Sequence, residues 1–357
     1  MNPRLTRPPV QHQRKRSFER LRKILLNQEC EEVPLFEIGV DQEIVRAVLG
    51  RVPPLEGRNE LVRFYWGLGY DYVPVGVSCF QEDPHLPSKE AEDTALLSRG
   101  KRSWAPMDGV VKTRDDYEKF PWPDPDRPQT ESIRSLAEQL PEEMKVVAVT
   151  SNILEPIAER IMGVKALSRC LYTDPDLLKD VCARLGEASV AAAEAAAEMD
   201  EVGAVCCCDD MGYQSGPLIP PRYLKKYILY WHRRMVKAVH AHGKPAILHS
   251  CGNIQSIMDD IIDYCGYDAK HSFKDSHTPV AEAKSRWGDR IALLGGVDMD
   301  FISRRSEGEV RTYVRRILNE CAGRGYALGT GNSVSNYIPV DNYLAMIDEG
   351  LKYRLPR

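Results

Sequence analysis

A chain of 357 residues, 43% of them hydrophobic, can bury a large core and fits either one big α/β barrel or two smaller domains. Its 48 basic and 52 acidic residues leave a formal net charge of -4, so no global field draws in nucleic acid or an acidic membrane, and a small soluble substrate is the expected partner. No apolar run approaches the roughly 20 residues that span a bilayer, and the consecutive Cys206, Cys207 and Cys208 suit a reducing compartment better than a disulfide framework, which points to the cytoplasm.

The first segment is basic, with Arg4, Arg7, Arg14, Lys15, Arg16, Arg20 and Arg22, and lacks the apolar centre of a secretory signal. Residues 1–30 read as an N-terminal arm, flexible or packing, rather than a nucleic-acid tail. Apolar segments at 33–38 and 70–77 read as strands. The stretch 78–140 then breaks the rhythm with many prolines, Trp104, Trp122 and the run Phe120-Pro-Trp-Pro-Asp-Pro-Asp-Arg-Pro. A proline-dense insertion of that length is expected to be a lid or excursion near a barrel mouth.

From Met144 onward, β-rich runs at 145–150, 203–208, 245–250, 267–272, 290–295 and 326–329 alternate with amphipathic stretches at 174–199, 221–242, 307–324 and 340–353. Such βα repetition predicts a parallel sheet. With the two early segments the strand count reaches about eight, the number that closes a (β/α)8 TIM-type barrel. A doubly wound open sheet would also give the alternation. The lack of a Gly-x-Gly-x-x-Gly turn after an early strand, and the polar residues at nearly every strand end, favour the barrel. The chain reads as a single domain over 1–357.

Within Lys244-Pro-Ala-Ile-Leu-His249-Ser-Cys251-Gly252-Asn253, a histidine and a cysteine stand two residues apart where an apolar strand gives way to a glycine turn. Strand side chains repeat every second residue, so both face one side. An imidazole and a thiolate converging there make half of a zinc site; the alternative is a satisfied histidine beside a small buried cysteine. A barrel gathers its strand C-termini at one mouth, which would collect Glu37, Ser78, Cys79, Asn152, Asp209, Asp210, His249, Cys251, Lys274, Asp275, Asp298, Thr330 and Asn332. Any of the Asp, Asn, Ser and Thr residues among them could instead cap a helix.

Asp209-Asp210 follow an apolar strand and precede Met211-Gly212-Tyr213-Gln214. Adjacent carboxylates at a pocket orient a cation or move a proton; a solvated turn is the alternative. Cys207 shares the face of Asp209, and Cys206 and Cys208 that of Asp210. Gly329-Thr-Gly-Asn332-Ser333 reads either as a backbone cradle for an anion or as a tight turn.

These residues carry a resemblance. Phe18-Glu-Arg-Leu-Arg-Lys-Ile-Leu with Val33-Pro-Leu, Phe120-Pro-Trp-Pro-Asp, Asp210-Met-Gly-Tyr-Gln-Ser-Gly-Pro-Leu-Ile, His249-Ser-Cys-Gly-Asn, Leu294-Gly-Gly-Val-Asp, Leu328-Gly-Thr-Gly-Asn and Val340-Asp-Asn-Tyr follow one another in the order found in the uroporphyrinogen decarboxylase superfamily. Over nearly its full length the chain resembles that superfamily, and especially its methyltransferase branch that serves corrinoid proteins. The resemblance implies a (β/α)8 barrel with its active site at the mouth. Decarboxylase members carry two arginines near the N-terminus that hold substrate carboxylates, and a histidine in the last strand-end loop. Here Phe36-Glu-Ile-Gly-Val-Asp offers acids instead, and the late loop shows Thr330. Methyltransferase members bind zinc through a His-x-Cys pair and a later cysteine; His249 and Cys251 match the pair, while Asn332 stands near the third position.

The resulting expectation is a cytoplasmic methyltransferase that moves a methyl group between a small-molecule donor or acceptor and a corrinoid (cobalamin) cofactor or corrinoid protein, with zinc assistance. Asp209, Asp210 and His249 are the expected catalytic groups, His249 and Cys251 the metal ligands, and Glu37, Asn152, Tyr213, Asp298 and Asn332 the substrate contacts. Either Asp209 or Asp210 would complete the metal site. A homodimer is compatible with the reading, and no nucleic-acid or membrane partner is expected. The alternatives are decarboxylation of a tetrapyrrole or polycarboxylate, and non-catalytic binding of a corrinoid or tetrapyrrole.

Overall fold

A computed structural model describes residues 15–51, 57–81, 84–151 and 153–355. Seven parallel strands form one curled sheet in sequence order: β1 (Tyr72–Val77), β4 (Lys145–Ser151), β5 (Val202–Cys208), β6 (Ala246–His249), β7 (Ala269–His271), β8 (Ala292–Leu294) and β9 (Tyr326–Ala327). A separate antiparallel hairpin joins β2 (Lys89–Glu92) to β3 (Lys101–Trp104). The sheet strands are continuous apolar runs because both their faces are covered, by helices outside and by packed side chains inside. All of β6 is buried, and so is Val146-Val147-Ala148 of β4.

The segment at 33–38, expected as a strand, closes the arrangement differently. It lies parallel to the end of β9, where Phe36 N donates to Leu328 O at 2.7 Å and Leu328 N to Pro34 O at 2.9 Å. Pro34 has no N–H to extend a ladder. Toward β1 the Tyr72 hydroxyl serves both backbone groups of Glu37, accepting from its N–H and donating to its carbonyl at 2.6 Å. One side chain thus stands in for strand pairing, and the fold is TIM-barrel-like.

Residues 1–14 of the expected arm lie outside the described residues. Beyond them, helix Phe18–Leu25 buries Phe18, Leu21, Ile24 and Leu25, and the Arg20 guanidinium clamps Asp71 with two 3.0 Å bonds. Within 78–140, the β2–β3 hairpin docks on the strand-end side: Asn336 Nδ2 donates to Asp93 at 2.6 Å, and Arg99 pairs with Asp41 at 2.6 Å and Glu43 at 3.0 Å. Trp122 packs between Tyr117 and Phe120, 5.1 and 4.5 Å away by ring centroid. Helix Glu131–Ala137 packs on β1 and β4 and serves as their crossover helix; two turns are too short to show a clear period in the sequence. Among the described residues, no helix is long and apolar enough to cross a membrane.

Candidate active site

Parallel register sets Cys208 beside His249 and His249 beside His271, so the ends of β5, β6 and β7 deliver their side chains to one place. Two turns then pack face to face. Gly212 N donates to Cys251 O at 3.2 Å and Asn253 N to Tyr213 O at 2.7 Å. Gly252 has φ +76°, and a Cβ there would stand 2.2 Å from the Gly212 carbonyl carbon, so neither turn has room for a side chain at this contact.

This packing brings Asp210, His249 and Cys251 together, with one ligand atom of each lying within 4.8 Å of the others. His249 Nε2 is 3.4 Å from Cys251 Sγ and 3.7 Å from Asp210 Oδ1. A tetrahedral zinc ion with N and O ligands at about 2.0–2.1 Å and sulfur at about 2.3 Å needs ligand atoms roughly 3.3–3.6 Å apart. The donor set fits that ion, and the two separations measured from His249 Nε2 lie close to that spacing. Asp210 Oδ1 is steadied by the Cys251 N–H at 2.7 Å.

The electrostatics distinguish a bare site from a loaded one. Burial lowers His249 to about 4, so the ring is neutral, the form that ligates metals. Burial, and then the Asp210 charge, pushes the Cys251 thiol up to about 12. Without a cation Cys251 is a thiol; a dication would reverse that balance and hold the thiolate. Nearby, Lys270 is buried, its ammonium donating to the carbonyls of His271 at 3.2 Å and Ser272 at 2.5 Å, and lying 4.3 Å from the Phe273 ring centre. Burial lowers it to about 8. Ser272 has φ +85°, a costly value for a residue with a side chain, and its hydroxyl stands 3.6 Å from Cys251 Sγ.

An outer ring of hydrogen bonds supports these groups. His249 Nδ1 meets His271 Nδ1 at 2.8 Å, and His271 Nε2 meets Thr330 O at 3.2 Å. Thr330 binds Glu37 twice, by its N–H at 2.8 Å and its hydroxyl at 2.5 Å, and the same hydroxyl reaches Asn332 O at 2.5 Å. Burial raises Glu37 to about 8 against the pull of those bonds. Asn332 Nδ2 donates to Cys251 Sγ at 3.2 Å. Asn332 therefore supports the sulfur while Asp210 faces the ligand position. Next to Asp210, burial and the charges of Asp210 and Asp209 raise Glu155 to about 8.

The expected site residues separate into groups. Asp210, His249, Cys251 and Asn332 come together, and Cys251, Asn332 and Tyr213 line a cavity of about 360 Å³ with Ser272, Lys274 and His277. Asp209 is elsewhere and is corrected here: its carboxylate is fully buried and accepts from Leu154 N at 3.1 Å, Glu155 N at 2.8 Å and His232 Nε2 at 2.9 Å. Strand alternation sends it with Cys207 into the layer between sheet and helices. Asp298 is likewise corrected to a cap, bound by the N–H groups of Asp300, Phe301 and Asp275 at 2.9, 3.1 and 2.9 Å. Glu37 lies buried under Thr330 instead of lining that cavity. Asn152 lies outside the described residues. His271, Lys270, Ser272 and Glu155 were not anticipated. The available signal was Lys270-His271 within the strand expected at 267–272, a costly pair to bury without a task.

A TIM-barrel-like α/β chain that converges an imidazole, a thiol and a carboxylate at the ends of its parallel strands has the layout of a barrel enzyme. The chain belongs to the uroporphyrinogen decarboxylase (URO-D) family, whose model matches residues 105–353, and that superfamily is enzymatic. A uroporphyrinogen decarboxylase of Alkalilimnicola ehrlichii is 27% identical over 255 residues, covering 68% of this chain and 67% of the other. One from Methylococcus capsulatus is 31% identical over 186 residues, half of each chain. Among solved structures, a methyltransferase from Methanosarcina mazei superposes with a TM-score of 0.66 at 17% identity, covering 94% of this chain and 98% of that one, which establishes shared fold.

Proposed function

We propose that the protein is a methyltransferase that moves a methyl group between a small-molecule donor or acceptor and a corrinoid cofactor or corrinoid protein, assisted by zinc on Asp210, His249 and Cys251. The observation that carries this reading is the convergence of O, N and S donors within 4.8 Å of one another, beside the cavity that Cys251 lines. When bound, zinc would hold a thiolate at neutral pH or polarise a donor atom, and three protein ligands leave it one position for substrate. The chain's own residues supply the setting. His249 presents a neutral ring, Asp210 is steadied by the Cys251 N–H, and the Asn332 amide tempers charge on the sulfur. Glu155, largely protonated at neutral pH, offers a proton beside Asp210.

All ten cysteines are unpaired, which supports a reducing cytoplasmic setting. The second reading is decarboxylation of a tetrapyrrole or polycarboxylate, favoured by the names of the relatives. It calls for a cationic mouth, whereas Lys274 and His277 are the basic residues among the described cavity lining. The test is a parallel assay of the zinc-loaded protein with methylcobalamin and a small thiol, and with uroporphyrinogen. Zinc-dependent demethylation of methylcobalamin supports the methyltransferase reading. Uroporphyrinogen turnover without it establishes the second, and corrinoid binding with no turnover of either indicates a receptor.

A further inference from the structure

A short series of hydrogen bonds leads from the last strand to the face of His249 that looks at Cys251 and Asp210. The Thr330 carbonyl can only accept, so the His271 Nε2 that lies 3.2 Å from it carries a hydrogen. His271 is fully buried, its ring centre 5.3 Å from that of Phe36. Among the described residues no carboxylate bonds to it, so a second proton would be an uncompensated interior charge. A neutral imidazole with its hydrogen on Nε2 presents a lone pair at Nδ1. That lone pair faces His249 Nδ1 at 2.8 Å, which makes His249 the donor. Cys251 Sγ already accepts from Asn332 Nδ2 and the Ser272 hydroxyl, so its own hydrogen goes to His249 Nε2 at 3.4 Å, while Asp210 Oδ1 at 3.7 Å from Nε2 lies beyond hydrogen-bond reach; Nε2 is therefore left as the acceptor.

We infer that His271 is a positioning residue that locks His249 in the tautomer with its hydrogen on Nδ1, so that Nε2 meets whatever stands between Cys251 and Asp210 as a lone pair. Parallel register makes the device available: His249 and His271 are paired on adjacent strands, with ring centroids 5.0 Å apart and planes 31° from parallel. In metal-free protein the Cys251 thiol donates to that lone pair. With a divalent cation present the same lone pair becomes a ligand, and the ring need not rearrange. A neutral histidine also suits the charge balance better than the carboxylate that often orients a ligating histidine. One carboxylate and one thiolate already cancel a dication, and a further anion behind His249 would leave a buried excess of negative charge. The tautomer rests on the hydrogen bonds alone; its use for a metal rests on the zinc-assisted reading.

The test is a long-range proton–nitrogen correlation spectrum of ¹⁵N-histidine-labelled, metal-free protein, which reports which ring nitrogen carries hydrogen. The expected spectrum shows hydrogen on Nδ1 of His249 and on Nε2 of His271. In His271→Phe the ring against Phe36 is kept but the acceptor is lost, so His249 should populate the other tautomer and zinc should bind about 10–100-fold more weakly. In His271→Asn, whose Oδ1 can replace the lost acceptor, the tautomer and zinc affinity should return toward wild type. Hydrogen on His249 Nε2 in the wild type, or an unchanged tautomer and zinc affinity in His271→Phe, would overturn the inference. If His271→Phe fails to fold, the wild-type and His271→Asn spectra decide it. A wild type that shows the expected tautomer but takes up no zinc supports the assignment and removes the zinc reading.

Discussion

Two aspartate–histidine pairs start from adjacent residues of the chain and end in opposite circumstances. Asp209 and His232 are fully buried, 2.9 Å apart, and closed by further bonds to Leu154 N, Glu155 N and the Tyr267 hydroxyl. Asp210 and His249 are 3.7 Å apart, with 34% of the Asp210 side chain exposed and Cys251 alongside. A saturated pair holds the fold, here by tying the start of the helical segment after β4 to the helix before β6. A loose pair with unspent lone pairs can take a ligand. The difference arises from strand alternation, which sends Asp209 behind the sheet and Asp210 to its mouth.

The largest contrast should come from Cys251→Ala and Asp209→Ala, because each removes what its own region depends on. Cys251→Ala should lose zinc by more than the roughly 10–100-fold that removal of an outer partner costs, with little change in thermal unfolding. Asp209→Ala should destabilise by about 3–5 kcal/mol, since it strands a buried histidine and two backbone N–H groups. Denaturant unfolding and zinc titration of both variants measure this. Similar profiles for the two would erase the distinction between the pairs.

A second expectation concerns protons. His249 is neutral before metal arrives and Cys251 is a thiol, so zinc binding should release about one proton, and affinity should rise about tenfold per pH unit near neutrality. Calorimetry in buffers of different ionisation enthalpy counts the protons; release of none would mean that Cys251 does not ligate as thiolate.

A third expectation concerns Glu37. Its folded value of about 8 lies above the ordinary carboxylate value of about 4.3, so the folded state binds the extra proton between those limits. Stability from this group is full below the lower limit and is lost as pH rises toward the upper one. Relative to Glu37→Gln, the wild type should therefore lose about 1.4 kcal/mol of unfolding free energy per pH unit across that window. A flat difference between pH 5 and 8 would show that Glu37 is ionised under Thr330.

The sheet was legible because fully covered strands are written as apolar runs, and 145–150, 203–208, 245–250 and 326–329 each overlap a strand, the last by its first two residues. The 33–38 segment kept the apolar pattern but paired through Tyr72, which composition does not reveal. The His249–Cys251 spacing carried real information, since a two-residue repeat fixes a shared face. The Asp209–Asp210 pair did not resolve, because in a barrel both faces of a strand are apolar and the sequence does not say which one looks inward. His271 stayed hidden for the same reason, as one ring in a buried run with its partner 22 residues away.

The central claim is that Asp210, His249 and Cys251 form one metal site, and a zinc K-edge absorption spectrum of the zinc-loaded protein tests it most directly. The account predicts one sulfur at about 2.3 Å with nitrogen and oxygen ligands at about 2.0–2.1 Å. A shell without sulfur, or failure to load zinc at neutral pH in excess metal, would contradict it.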